Sequence, residues 1–104
     1  MSQHIITLQT PTAGSVEIIA GFDPRLCEVF VNYRGEDCSF VSGPGFAVED
    51  IPKVVLDDLQ AELPSQVLNG VRGDIADFRL GASDVGRRMF RYESDGTCID
   101  EKRW

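Results

Sequence analysis

The chain has a single histidine, His4. Nucleophile–base catalysis ordinarily places a histidine beside a serine or cysteine and an orienting carboxylate. One histidine near a chain end argues against such a triad, and the expectation is a surface or edge-strand side chain. Cysteine is also scarce. Cys27, Cys38 and Cys98 are odd in number and share no C-x-x-C spacing, so neither a disulfide framework nor a zinc site, which needs about four ligands, is indicated. Cys27 in LCEVFV and Cys38 in CSFV sit in apolar contexts and are expected as buried free thiols. There is no apolar run of about 18 residues to cross a membrane. The opening MSQHIITLQTPT has no basic and apolar leader pattern, which assigns the chain to the cytoplasm. The Gly43-Pro44-Gly45 loop lacks the G-K-[ST] ending of a phosphate cradle and reads as a connector. No catalytic residue, metal or cofactor is assigned.

Positive charge is in short supply: ten basic residues stand against seventeen acidic ones, a net charge of −7. That excludes a general nucleic-acid binder, which needs a basic footprint. An acidic body is soluble, and its field also steers it toward basic partners. Asp57, Asp58 and Glu62 on one expected helix, and Asp74 and Asp77 on the next, read as a solvated acidic face or as contacts for a basic partner. Asp58 and Glu62 are four apart on one exposed face, whereas a glycosidase pair spans a cleft. The basic cluster Arg87, Arg88 and Arg91 interrupts this acidity beside Phe90 and Tyr92. Arginine and aromatic residues are over-represented at binding hot spots. The plainer reading pairs these arginines with the acidic helices and puts Phe90 in the core.

Length and composition support one domain, residues 1–104. Ile5 to Leu8 is a short β-favouring run. Val16, Ile18, Ala20 and Phe22 alternate on one face of a second strand. After the Asp23-Pro24 turn, Leu26 to Tyr33 reads as a third strand with Cys27, Val29, Val31 and Tyr33 on one face. Cys38 to Val41 would return as a fourth. The period then lengthens. Pro52 suits a first helical turn, and Val55, Leu56, Leu59 and Leu63 form one stripe. Pro64 ends that helix and Ser65 is a candidate N-cap for another, carrying Val67, Leu68, Val71, Ile75 and Phe78 through Gly70 and Gly73, with Gly81 as its stop. Arg88 to Tyr92, a Ser94-Asp95-Gly96 turn and Thr97 to Ile99 read as a hairpin. The expected class is α+β: an antiparallel sheet, built from an N-terminal meander of three or four strands and a C-terminal hairpin, with two helices on one face.

The segment from Val16 to Leu26, followed by Glu28-Val29-Phe30, resembles the V-x-x-x-x-G-[WF]-D-x-x-L-x-x-[FV]-F pattern of a group of small uncharacterised bacterial proteins carried on plasmids, phages and genomic islands. Leu59, Leu63-Pro64 and Val85-Gly86-Arg87-Arg88 to Arg91-Tyr92 are similar to that group's L-x-x-x-[LI]-P and V-G-N-R-x-x-R segments. Phe22 stands where tryptophan is commoner. The resemblance brings no catalytic residues. It implies a mobile-element accessory role, and the expected function is inhibition of a host defence complex by protein–protein occlusion, in the manner of an anti-CRISPR protein acting on a CRISPR effector with a basic surface. The alternatives are a cytoplasmic interaction module, homodimeric through a sheet edge, and a small cysteine-dependent enzyme or redox protein.

Overall fold

The computed structural model describes residues 1–11, 13–33, 48–53 and 59–104. The expected strand from Cys38 to Val41, the Gly43-Pro44-Gly45 connector, Val55, Leu56, Asp57 and Asp58 lie outside the described residues. Strands β1 (Gln3–Thr10), β2 (Gly14–Asp23) and β3 (Glu28–Tyr33) are followed by a 3-10 turn at Val48–Asp50, helix α1 (Ser65–Arg79), a second 3-10 turn at Val85–Arg87, and strands β4 (Arg88–Tyr92) and β5 (Cys98–Arg103). Ile51, Pro52, Lys53 and Leu59 are also helical.

The five strands form one sheet in the order β3-β2-β1-β4-β5. The meander and the hairpin pair antiparallel as their short turns require. The join between them corrects the purely antiparallel expectation: β4 runs parallel to β1, with His4 across from Phe90 and Ile6 across from Tyr92. The chain between β3 and β4 contains the helical layer and is long enough for a crossover return, after which β4 pairs with the free side of β1. The sheet is mixed, and β1, which opens the chain, becomes its centre.

The period-two reading places the core. Val16, Ile18, Ala20 and Phe22 from β2, Ile6 and Leu8 from β1, and Val29, Val31 and Tyr33 from β3 are all buried, in one cluster with Leu59, Leu63, Val67, Leu68 and Val71. Each such Val, Leu or Ile contributes about 1.5–3 kcal/mol on burial. Two details of the third strand differ from expectation. It begins at Glu28, because Asp23 pairs with Glu28 and leaves Pro24 to Cys27 as the turn. Asp23 Oδ1 accepts the Arg25 N–H at 3.0 Å within that turn. Leu26 is therefore 63% exposed, and Cys27 is an exposed thiol at φ 52° rather than a buried one.

Helix α1 starts at Ser65, with Pro64 at the capping position (φ −56°, ψ 143°) and its carbonyl accepting the Val67 N–H at 3.1 Å. Ser65 is thus the first helical residue and not the cap. Gly81, at φ 89°, donates to the Phe78 carbonyl and ends the helix where a left-handed residue is needed. The helix packs chiefly over β2 and β1. Where it meets β1 and β4 there is no room for a side chain. A Cβ on Gly70 would stand 2.6 Å from the His4 ring and 2.7 Å from the Tyr92 hydroxyl, whereas one on Gly73 would meet nothing within 4 Å.

The two glycines of α1 therefore respond oppositely to alanine. Gly73→Ala gains helix propensity and stabilises by about 0.5–1 kcal/mol. Gly70→Ala makes the same gain but overpacks the seam, for a net loss of about 1–3 kcal/mol. Urea denaturation of both variants checks the two signs.

Candidate functional site

The most concentrated chemistry lies under α1. His4 shares the helix-facing side of β1 with Ile6 and Leu8, and its side chain is 1% exposed. Its Nε2 is 2.6 Å from Asp74 Oδ2 and its Nδ1 is 2.7 Å from Tyr92 Oη. An ionised carboxylate only accepts, so the network assigns the imidazole proton to Nε2; Nδ1 then accepts from the Tyr92 hydroxyl. The ring of Phe90, the cross-strand neighbour of His4, stacks on it with centroids 4.7 Å apart and planes 5° from parallel.

Asp74 links this chain to a charge cluster. Arg88, at the start of β4, donates from Nη1 to Asp77 Oδ2 at 2.7 Å and to Asp74 Oδ1 at 3.4 Å. It also holds Asp84 with both Nη2, at 2.9 Å, and Nε, at 3.4 Å. The bond to Asp84, followed by those to Asp77 and Asp74, raises the guanidinium above its ordinary range against the opposing effect of burial. Reciprocally, the Arg88 bond holds Asp84 below the usual carboxylate range. Tyr92 is pushed upward, first by burial and then by Cys98, Asp74 and Glu101, so it keeps its proton.

The expected surface residues fall into three groups. Asp74 and Arg88 are buried and paired with each other, not presented to a partner. Asp77 is half-buried on the same arginine. Glu62, Arg87 and Arg91 are exposed, while Asp57 and Asp58 lie outside the described residues. Among the described residues, internal pairing of the arginine cluster with the acidic residues is seen for Arg88. His4 is corrected from a surface or edge position to the centre of the sheet. Its signal was present but masked: His4, Ile6 and Leu8 alternate, yet the adjacent Ile5-Ile6 hides the phase. The spacing of Gly70 and Asp74, one helical turn apart, marks where the helix touches a polar group.

Beside this network α1 covers only part of the hairpin. A groove of about 560 Å³ runs between Gln66 and Asn69 of α1 and Phe90, Tyr92, Cys98 and Glu101 of β4 and β5. Cys98, like Cys27, is an exposed thiol. Cys27 precedes β3 and Cys98 begins β5, at opposite margins of a five-strand sheet. Four strand spacings of about 4.8 Å separate those margins, which excludes a bond between the two thiols within one chain. Among the described residues no group of three His, Cys, Asp or Glu side chains is placed to hold a metal. No described helix is long and apolar enough to cross a membrane. Comparison with protein-family models, with characterised proteins and with solved structures finds no match.

Two outcomes follow from this geometry. Asp74→Ala strips the buried Arg88 and His4 of their shared carboxylate and costs about 3–5 kcal/mol, while Tyr92→Phe, which deprives one ring nitrogen of its donor, costs about 1–3 kcal/mol; chemical denaturation reads both. Asp84 has a lowered folded value, so its contribution is complete above the unfolded value and is lost as pH falls through the folded one. Stability measured from pH 5 down to pH 2 therefore declines below about pH 4 in the parent chain, and less steeply in Asp84→Asn.

Proposed function

We propose that the protein is a non-enzymatic binding protein that acts by occupying a basic surface on another protein. The observation supporting this is where its reactive groups are used. The one histidine and its carboxylate are sealed at 1% and 3% side-chain exposure, under a stacked aromatic ring and with both ring nitrogens engaged. A general base must reach the proton it abstracts, and this one faces Asp74 and Tyr92. Tyr92, the member of the chain that reaches the groove, holds its proton more firmly than an ordinary phenol. Apart from the Cys27 and Cys98 thiols, what remains for the outside is shape and a net charge of −7, a field that accelerates encounter with a basic partner.

The narrower version of this reading is inhibition of a host defence complex, as by an anti-CRISPR protein, and it rests on the resemblance of the Val16 to Phe30 and Val85 to Tyr92 segments to mobile-element proteins. Homodimerisation through the β5 edge has less in its favour, because Asp100, Glu101, Lys102 and Arg103 give that edge the charges that discourage strand addition.

Mixing the purified protein with an isolated CRISPR effector complex tests the proposal. A salt-sensitive complex and lost interference are expected; no association with undiminished interference would end the defence version. Substrate turnover by pure protein, abolished by one side-chain change, would end the non-enzymatic reading itself.

A further inference from the structure

We propose that the groove between α1 and the β4–β5 hairpin receives an arginine side chain from a basic segment of the partner. This inference rests on the reading of the protein as a binder of basic surfaces and names the contact. His4 occupies one face of the Phe90 ring, yet Phe90 also lines the groove. The residue directly across from it on β5 is Glu101, which lines the groove as well and is half exposed. A planar cation stacked against Phe90 would therefore have a carboxylate at its edge. Guanidinium meets both requirements, because it stacks on aromatic faces and bonds carboxylates through a fork of donors, whereas ammonium is a strongly hydrated point charge.

The surroundings agree in sign. Among the described residues no basic one lines the groove, whose polar residues include Gln66, Asn69, Thr97 and Glu101. Asp74 and Glu101 both act at Tyr92 in the direction of negative potential. Among the described residues the internal competitor is Arg103, whose Nη2 lies 3.3 Å from Glu101 Oε1 with both side chains more than half exposed. A pair so exposed contributes little, and Arg103 has Asp84 as a second partner at 3.5 Å, so an incoming arginine displaces it at small cost. The volume, about 560 Å³, lies in the range of small-ligand sites and accommodates one long side chain with its flanking backbone.

Titration of the full chain with a tetra-arginine peptide, followed by amide NMR, tests this. Expected are shifts concentrated at Gln66, Asn69, Phe90, Tyr92, Thr97 and Glu101. Affinity should fall about fivefold in Glu101→Gln and change less than about twofold in Glu17→Gln, which removes the same charge from an exposed site on β2. Tetra-lysine should bind more weakly and tetra-glutamate not at all. Shifts spread over the acidic surface, equal losses in the two variants, tetra-lysine matching tetra-arginine, or no shift in the groove would each overturn the inference. Its failure is separable from that of the proposed function: a basic protein captured equally by the parent and by Glu101→Gln removes the groove and leaves the binder.

Discussion

The contact between a histidine on the central strand and an aspartate on the helix organises this molecule. His4, Asp74 and Arg88 come from three separate elements, β1, α1 and β4, and each is buried. Removing charge from water is expensive, and an ion pair recovers the cost only when its remaining hydrogen-bonding capacity is filled. Here it is filled: Tyr92 completes the imidazole, and Asp77 and Asp84 complete the guanidinium. The network therefore stabilises chiefly against its own disruption. What it adds beyond apolar packing is registry, since an arrangement that offset β4 against β1 or turned α1 about its axis would leave a buried charge alone.

That constraint explains features that otherwise look like defects. Gly70 weakens the helix by propensity, but any larger side chain would push the helix off the His4 ring. The parallel pairing of β1 with β4 breaks an otherwise antiparallel sheet, and it brings Phe90 and Tyr92 beside His4. The same pairing sets β4 and β5 at a margin of the sheet that α1 covers only in part, and the groove opens between them. One arrangement of buried polar groups thus accounts for the helix position, the strand direction and the half-buried aromatic wall of the groove.

The elements were largely readable because their signals are local. Alternation fixed β2, Pro64 and Gly81 bounded α1, and Asp95-Gly96 turned the hairpin, with Gly96 at φ 95° and Asp95 accepting the Thr97 N–H. What stayed hidden depends on contacts between distant residues. The partner of His4 is seventy positions away, and nothing local to either residue reports it. Asp74 and Arg88 read as surface charges because polarity alone does not reveal a paired partner. Cys27 read as core because Leu26 and Cys27 continue the strand pattern by two residues too many, while the Asp23–Glu28 pairing ends it.

The seam depends on the state of one imidazole, which long-range nitrogen–proton NMR of His4 observes directly. A single tautomer is expected, with the proton on Nε2 in slow exchange with water and Nδ1 acting as acceptor. Averaged tautomers with a proton exchanging within milliseconds would mean that the ring is open to solvent and that the seam is not built on it.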